Sequence, residues 1–383
     1  MDHMLNLRIV HIIEATLSGT GRHVLDIVES CASYVRELYL VHSLKRADAT
    51  YQARLARIPQ TVQIDEISME HTISPLADLR STLALIAYLR CRRPIDIVHT
   101  HSSKAGVIGS LAARLSGVRH IIFTPNAFAS AGARGLKRQI YLNLERLCGL
   151  LSTCVVAVSP EEYDYALHQR IVPRRRLRMI ANGIRPPDLS SHEANRRQIR
   201  EAWRLDPQTR LIGSVGRLAA QKDPLLFIEL IARRARRYSA HEEMYLMVGD
   251  GELASQIRAK ISEYGLEKRV IMTGFRSDVD SLLASLDVFV LHSRYEGMPY
   301  IILEAMGHGL PIVSTHVSGV VDPLRDGGLI VEVGDVAGLD KALDQLINPE
   351  RRRQFGRANR QRLERHFSLD HMITSLLQLY SGL

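Results

Sequence analysis

Two glutamates mark the segment of the chain with the clearest chemical potential. Glu296 and Glu304 lie in the stretch RYEGMPYIILE, which follows an apolar run typical of a buried strand and opens an apolar helix. Open α/β sheets bind ligands where strands end, and helix N-termini favour anions. The segment therefore predicts a site for one extended anionic ligand, with the two carboxylates acting on different parts of it. The alternative is a carboxylate that favours the helix dipole and an unrelated surface glutamate.

A second candidate site is the stretch GSVGRLAAQKD, in which a predicted strand ends at a glycine and two cations follow. Arginine offers a planar fork of donors and lysine a compact point charge, a combination that suits a diphosphate. Arg217 and Lys222 are therefore candidate diphosphate ligands. A solvated pair of surface cations remains an equal interpretation of these two residues.

Three further turns carry glycine at predicted strand exits. The first, SGTGRH, contains Gly19 and Gly21 but lacks the third glycine of a dinucleotide fingerprint, so a nicotinamide dehydrogenase is the least favoured function. The turns VGDGE at 248–252 and TGFR at 273–276 either contact a nucleotide or only reverse the chain. The sequence leaves both interpretations open.

The string Asp278-Val-Asp280 has the DxD pattern of metal-dependent sugar transferases. It stands at a predicted helix start, where carboxylates cap the helix and favour its dipole. We interpret it as a cap, so the sequence predicts no metal site.

Composition limits the classes of protein that the chain can form. Of its 383 residues, 46% are hydrophobic and 24% charged, as in ordinary globular proteins, which excludes disordered and collagen-like chains. Aromatics at 5% argue against a protein that stacks on single-stranded nucleic acid. The net charge of +9 favours anionic partners without choosing among them. One basic cluster is a candidate contact for anionic lipid or a lipid diphosphate, although a solvated surface is the alternative; it comprises Arg170, Arg174, Arg175, Arg176 and Arg178.

The site residues need strand ends to position them, and the sequence supplies these in a regular alternation of β-rich and helical runs. That alternation predicts two α/β Rossmann-like domains with parallel sheets. We place the first domain at residues 1–186 and the second at 187–368, with the join at the prolines of NGIRPPDL. Residues 369–383 form an apolar-striped helix that packs back on the first domain or lies on the second.

Cellular location is inferred from the cysteines and from the apolar runs. Four scattered cysteines without metal or disulfide spacing predict reduced thiols, and no apolar run is long enough to span a membrane. With no visible signal peptide, we expect a cytoplasmic protein, peripheral on the inner face of the plasma membrane.

In combination the motifs resemble those of retaining glycosyltransferases of the GT-B fold, family four of the sugar transferases, also called glycosyl transferases group 1. The resemblance covers nearly the whole chain. It is carried by the two glutamates with EGMP and LEAMGHGLPIV, and by the stretches GSVGRLAAQKD, VGDGE, HTHSSKAGVIGSLAARLSGV and ANGI.

The resemblance implies two domains facing across a cleft, with the acceptor on the first and the donor nucleotide on the second. Arg217 and Lys222 would hold the diphosphate, Glu304 the ribose, and Glu296 would lie by the transferred sugar. Further donor-binding residues implied are Gly19 and Gly21 at the phosphates, Gly274, Phe275 and Arg276 near the base, and Gly297 and Met298 at the helix start.

One departure from the family pattern concerns a catalytic position. Family members usually carry a histidine that reaches the donor sugar, where this chain has Asn126 in the stretch TPNAF. Asparagine donates and accepts hydrogen bonds but does not titrate. Asn126 is therefore a candidate site residue without a proton-handling role, or a residue that only shapes the turn after Pro125.

The implied reaction is transfer of a sugar from a nucleoside-diphosphate sugar, UDP favoured over GDP, with retention at the anomeric carbon. The acceptor would be a glycan or a polyprenyl-diphosphate-linked saccharide of surface polysaccharide or glycolipid biosynthesis. No cofactor is expected, since the nucleotide sugar is a substrate, and no nucleic acid partner. Alternatives are a sugar-nucleotide epimerase on the same fold, and a degenerate module that binds nucleotide sugar for regulation.

Overall fold

The structure, a computed structural model, describes residues 4–383 apart from the side chain of Ser18, so residues 1–3 of the first predicted domain lie outside it. The chain divides into two compact units. The first runs to Asn182 and includes Leu369–Leu383, and the second is Gly183–Ser368. Residues 183–186 thus belong to the second unit rather than the first. The reason is that Ile184 pairs with Ser368 and donates its N–H to the Phe367 carbonyl at 3.0 Å.

The first unit is built on a seven-stranded, fully parallel sheet of order β3-β2-β1-β4-β5-β6-β7. Its strands are β1 (Leu5–Ile13), β2 (Val35–His42), β3 (Val62–Glu66), β4 (Ile97–His101), β5 (His120–Thr124), β6 (Cys154–Ala157) and β7 (Leu177–Met179). The connecting helices are α1 (Ser18–Cys31), α2 (Ala49–Leu55), α3 (Pro75–Cys91), α4 (Ser103–Leu115), α5 (Gly135–Leu151) and α6 (Pro160–His168). Every residue of β4 and β6 is buried, as expected for a parallel sheet covered on both faces.

The second unit repeats this plan with a six-stranded parallel sheet of order β10-β9-β8-β11-β12-β13. Its strands are β8 (Arg210–Val215), β9 (Glu243–Val248), β10 (Val270–Gly274), β11 (Val288–Leu291), β12 (Ile312–Thr315) and β13 (Gly328–Val331). Its helices are α7 (His192–Ala202), α8 (Pro224–Ala235), α9 (Ala254–Glu263), α10 (Val279–Ser285), α11 (Tyr300–Gly307), α12 (Val336–Asp344) and α13 (Pro349–His366). The two sheets confirm the predicted α/β class with two Rossmann-like domains.

In each sheet the chain reverses its direction of strand addition at one point. In the first sheet this point lies between β1 and β4, and in the second between β8 and β11. The crevice at the carboxyl ends of such a strand pair is where open α/β sheets bind ligands. A functional site is therefore expected at these two crevices.

The last helix, α14 (Leu369–Ser381), belongs to the core of the first unit. Its buried face packs with residues of α1 and β1 in one hydrophobic cluster, and it comprises Leu369, Met372, Ile373, Leu376, Leu377 and Tyr380. In the part of the chain that the structure describes, no helix combines the length and the apolar character needed to cross a bilayer.

Candidate functional site

The crevice between β8 and β11 contains a pocket at the carboxyl ends of the central strands. It is lined by residues that follow β8, by the last residues of β9 and by the end of β11, among them Ser214, Arg217, Lys222, Val248, Leu291 and His292. Two of the sequence-predicted residues, Arg217 and Lys222, therefore line one pocket. The loop after β8 and the loop after β11 form its walls.

A buried ion pair joins these two loops. The Nζ atom of Lys222 lies 2.5 Å from Oε1 of Glu296, and the Ser293 hydroxyl donates to the same oxygen at 2.6 Å. The two charged side chains are only 19% and 7% exposed. A pair this buried interacts more strongly than a surface pair, because little water screens it. The structure thus brings together Glu296 and Lys222, which the sequence assigned to different parts of the ligand.

A second ion pair fixes the same loops to each other. The guanidinium of Arg294 donates to both carboxylate oxygens of Asp223, at 2.8 and 3.1 Å. Asp223 adopts the left-handed conformation, with φ +50°, directly before α8. The Gln221 carbonyl also accepts the Arg294 backbone N–H at 2.8 Å. These contacts hold the loop that carries Lys222 against the loop that carries Glu296.

His292 supports the floor of the pocket as a neutral imidazole. Its Nδ1 lies 2.5 Å from the Lys222 carbonyl, which can only accept, so Nδ1 carries the proton and Nε2 accepts from the Ser214 hydroxyl at 2.8 Å. Burial lowers the pKa of His292 to about 4.

Sequence reasoning missed His292, Asp223 and Arg294. The available signal was a polar residue directly after the buried strand β11.

Arg217 differs from Lys222 because no described carboxylate pairs with its guanidinium. Its side chain is exposed, and among the described residues it has no hydrogen-bond or ion-pair partner. An unpaired guanidinium at a strand exit is available to fork onto two oxygens of an anion. The pocket therefore combines one free cation with one cation held in place by a carboxylate.

The glycines of the VGDGE turn have a packing explanation. A Cβ atom on Gly249, whose φ is +132°, would lie 2.0 Å from the Gly216 carbonyl oxygen, and a Cβ on Gly251 would lie 2.5 Å from that of Leu218. Only glycine permits this close approach of the turn to the loop after β8. The turn supports the pocket without needing a ligand of its own.

The start of α11 is largely buried. Gly297 and Met298 are buried. The Gly297 carbonyl oxygen packs so closely against Gly319 that a Cβ atom on Gly319 would lie only 2.0 Å from it. Glu304 lies inside α11 and is half-buried. The Glu304 carboxylate is thus presented by a helix anchored on the same loop as Glu296.

The turn at 274–276 follows β10, which is an edge strand of the second sheet. Strand β9 separates β10 from β8, the strand whose end forms the pocket. Gly274 needs its lack of side chain, because its φ is +69°. Phe275 is 57% exposed. The Arg276 guanidinium is already engaged by the Asp278 carboxylate at 2.7 and 2.6 Å.

The DxD string does not cap α10 in the way that the sequence predicts. Asp278 occupies the N-cap position, yet its side chain makes no capping hydrogen bond, because Arg276 binds it. The Asp280 carboxylate contacts Nε2 of His308 at 2.8 Å. The expected cap is therefore wrong for the Asp278 side chain, and the two carboxylates have different protein partners.

In the first unit, Asn126 follows β5 in a backbone conformation that few residues adopt. Its φ is +53° and that of Ala127 is +99°. Asparagine tolerates this left-handed region better than most residues. Its Nδ2 atom is buried without a hydrogen-bond partner. The turn-shaping interpretation thus has support, while the amide keeps a donor that no described group uses.

The predicted glycine turn of the first unit opens α1, and Gly19 and Gly21 lie in its first turn. A Cβ on Gly21 would lie 2.2 Å from the Thr16 carbonyl oxygen. Packing against Thr16 therefore explains Gly21 by itself. Its role at the donor phosphates stays a prediction, as does that of Gly19.

Two residues at the β1–β4 crevice escaped the sequence analysis. Glu14 is 3% exposed, and its Oε2 accepts from the Ser102 hydroxyl at 2.5 Å. Ser102 has φ +76° and ψ 159°, a region that is essentially reserved for glycine. The strained serine and the buried carboxylate stand at the end of neighbouring strands, beside the strand that ends before Asn126.

Three histidines below this crevice come close enough to be considered as metal ligands. The ligand atoms of His11, His99 and His101 all lie within 4.8 Å of one another. Both ring nitrogens of His99 are engaged, by the Tyr380 hydroxyl at 2.7 Å and the Thr124 hydroxyl at 2.8 Å. Burial lowers the pKa of His11 to about 3. We interpret the cluster as a neutral hydrogen-bonded network that ties α14 to β4.

Comparison with known families gives matches over both units. Residues 195–362 match the family model described as "Glycosyl transferases group 1", and residues 18–183 match the "Glycosyl transferase 4-like domain". The matches therefore cover most of the second unit and most of the first.

Curated relatives resemble the chain over most of its length. An Escherichia coli protein named UDP-Gal:alpha-D-GlcNAc-diphosphoundecaprenol alpha-1,3-galactosyltransferase is 29% identical over 315 residues, covering 80% of each chain. The Staphylococcus aureus capsular polysaccharide biosynthesis glycosyltransferase CapM is 24% identical over 99% of this chain and 98% of its own.

Among solved structures, the Anabaena protein HepE in complex with UDP-glucose matches with a TM-score of 0.81 at 18% identity, over 99% of this chain and 100% of that one. WaaG, a glycosyltransferase involved in lipopolysaccharide biosynthesis, matches with a TM-score of 0.74 at 16% identity, over 98% of this chain and 100% of its own. At these identities the likeness shows the fold.

Proposed function

We propose that this chain, which belongs to the group 1 glycosyltransferases of the GT-B fold, transfers a sugar with retention from a UDP-sugar to a saccharide on a polyprenyl diphosphate. The observation that carries the proposal is the free Arg217 beside the Lys222–Glu296 pair in the crevice between β8 and β11. UDP is favoured because the similar HepE is seen with UDP and UDP-glucose. The name of the E. coli relative supports a diphosphoundecaprenol-linked acceptor.

The leaving group determines what the protein must do. The bond between the anomeric carbon and the diphosphate oxygen breaks, and a bond from the same face to the acceptor oxygen forms. The acceptor proton goes to the leaving phosphate oxygen. Arg217 and Lys222 stabilise the charge that develops on the diphosphate, since preorganised cations need no reorganisation during the reaction. Two protein cations do the work that a divalent metal does elsewhere, so we propose a metal-independent reaction without a cofactor.

Glu296 has two proposed roles, and the first is to position Lys222. Its carboxylate fixes the ammonium position, and the Ser293 hydroxyl fixes the carboxylate in turn. In its second proposed role, the same negative charge stabilises the oxocarbenium-like sugar that develops next to the diphosphate. Glu304 at the ribose and Gly274, Phe275 and Arg276 at the base complete the proposed donor site, with Arg276 exchanging its Asp278 partner for a ligand atom.

The donor assignment is tested by thermal shift with UDP, GDP and ADP, each with and without chelator. A ligand at about 100 times its dissociation constant stabilises the protein by roughly 2.7 kcal/mol. We expect stabilisation by UDP in both conditions, and transfer that continues in chelator to give an α-linked product from an α-linked donor. Stabilisation by GDP alone, activity restored only by manganese or magnesium, or an inverted product would contradict the respective part of the proposal. Epimer formation without acceptor would indicate the epimerase.

Substitution of Asn126 tests whether its amide takes part in the reaction. We expect Asn126→Ala to lower kcat by about five- to a hundredfold, since a partner left unpaired in a dry site costs roughly 1–3 kcal/mol. Asn126→Asp should be worse, because it adds negative charge near the departing diphosphate. Asn126→His restores the usual residue and should retain part of the activity or change donor preference.

The matched control is Asn126→Gly, which keeps the left-handed backbone while it removes the amide. If the amide acts on the sugar, the glycine variant is as slow as the alanine variant. Steady-state kinetics and melting temperature are measured for all four variants. A glycine variant with the wild-type kcat would show that Asn126 only shapes the turn.

A further inference from the structure

Two buried carboxylates hold the loop that follows β5 in the first unit. Glu145 on α5 accepts the Ser130 backbone N–H at 3.1 Å and also accepts from the Ser130 hydroxyl. Glu162 on α6 accepts the Val158 N–H at 3.0 Å. The N–H of Ala127 also interacts with the Glu162 carboxylate and lowers its pKa. The loop from Ala127 to Ser130 is therefore held at both ends by acids that are no more than 4% exposed.

The contact with Ala127 bears directly on the conformation of Asn126. The Ala127 N–H belongs to the planar peptide that joins these two residues, so a group that fixes this N–H also fixes the orientation of the peptide. The φ of Ala127 is +99°, and alanine has no polar side chain to favour a positive φ locally. Such a conformation persists only where the surrounding structure imposes it. The Glu162 carboxylate is a buried group that meets this peptide, so it helps to impose the turn.

The surroundings of Glu162 oppose its negative charge. Burial, followed by the negative charges of Glu161 on the same helix and Glu145 on α5, raises the pKa of Glu162 to about 7. Arg138 on α5 attracts Glu145, while β6 and the loop after β5 present backbone N–H groups to Glu162. Its Oε1 atom is buried without a hydrogen-bond partner. An acid at this position is therefore not explained by the stability of the fold.

We propose that Glu162 is a positioning residue for sugar transfer, which holds the left-handed turn at Asn126 through the Ala127 peptide. The inference rests on the proposed function and extends it to a residue that acts through Asn126. An ionised carboxylate holds a backbone N–H about twice as strongly as a neutral acceptor does. The charge thus serves the geometry of the turn although it lowers stability, a conflict that is common at functional sites.

The first test compares kcat of the wild type and of Glu162→Gln between pH 6 and pH 8. Glutamine has the same size but does not ionise. We expect kcat of the wild type to rise about threefold over this range as Glu162 ionises, and that of Glu162→Gln to stay near the wild-type value at pH 6. KM for the donor should change little, because the proposed nucleotide-binding residues at β8 and β11 lie in the second unit. Asp164→Asn removes an exposed carboxylate from the same helix, and this control should follow the wild-type profile.

The second test measures the melting temperature of the same variants against pH. Glu162 holds its proton more tightly in the folded protein than in the unfolded chain, since burial raises its pKa from 4.5 to about 7. The wild type therefore loses stability through this group as the pH rises across that interval, and Glu162→Gln does not. We expect the two proteins to melt together near pH 5 and the variant to melt higher at pH 8, where it is also slower. A residue with a purely structural role would not make its variant both more stable and slower.

A double variant shows whether Glu162 acts through Asn126. At pH 8, Glu162→Gln combined with Asn126→Ala should be about as slow as Asn126→Ala alone, because a turn without the amide has nothing left to position. Losses that multiply, or a wild-type kcat in Glu162→Gln at pH 8, overturn the proposal.

Hydrogen exchange separates a failure of this inference from a failure of the proposed function. Protection of the Ala127 amide should fall about fivefold in Glu162→Gln at pH 8, whether or not a sugar is transferred. If the wild type transfers no sugar from any UDP-sugar, the proposed function fails and exchange alone decides the role of Glu162 in the turn. Reduced protection then supports that role, and unchanged protection overturns it. Stabilisation by UDP, measured in both proteins, reports separately on the donor site.

Discussion

Lys222→Ala should lower kcat/KM for the donor by about a hundredfold or more and should also destabilise the protein. The loss of activity follows because a charge-assisted hydrogen bond to phosphate contributes roughly 1.5–3 kcal/mol, and because Glu296 loses the cation that positions it. The loss of stability follows because the Glu296 carboxylate, 7% exposed, is left buried without its partner. Breaking a buried pair on one side costs about 3–5 kcal/mol.

Two companion variants separate these effects. In Lys222→Met with Glu296→Gln no charge is left unpaired, so the melting temperature should recover while donor use does not. Arg217→Ala removes an exposed and unpaired cation, so it should lower kcat/KM by about ten- to a hundredfold at an unchanged melting temperature. Normal kinetics in both Lys222→Ala and Arg217→Ala, with the fold intact, would refute the diphosphate assignment.

Removal of residues 369–383 should prevent the first unit from folding. Helix α14 contributes six buried residues to the core shared with α1 and β1, and the Tyr380 hydroxyl bonds His99 in the centre of the sheet. Each large side chain removed from such a core costs about 2–5 kcal/mol. For six such side chains the total is comparable to or larger than the roughly 5–15 kcal/mol that stabilises a whole domain.

The graded form of this test uses point variants and chemical denaturation. Leu376→Ala should lower the free energy of unfolding of the first unit by about 2–5 kcal/mol, since Leu376 is 2% exposed. Gln378→Ala, two residues later on the exposed side of the same helix, is the control and should change stability little. A truncated chain whose first unit unfolds at the same denaturant concentration as in the full chain would show that α14 is dispensable.

Elements with a strong apolar period could be predicted from the sequence, and polar elements could not. The strands His120–Thr124 and Val288–Leu291 have the bounds that their apolar runs predict. Helix α13 was missed because its eighteen residues are rich in arginine and carry few apolar positions. The three-residue β7 is too short to show any period.

The candidate site follows the same division. Arg217 and Lys222 could be found because strand exits concentrate ligand-binding residues. The contact of Lys222 with Glu296 joins residues far apart in the sequence, and it depends on the placement of β11 beside β8. Asp278 shows the opposite error, since a local rule predicts a cap and a neighbouring arginine captures the side chain instead.

The return of α14 to the first unit has a consequence for how the protein is made. The second unit is one uninterrupted stretch of chain, so it can fold as soon as residue 368 has left the ribosome. The first unit is synthesised earlier but lacks one of its core helices until residues 369–383 emerge. Its apolar groove, lined by α1 and β1, must therefore stay open while the whole second unit is synthesised, and the nascent chain is expected to need protection from aggregation until α14 emerges.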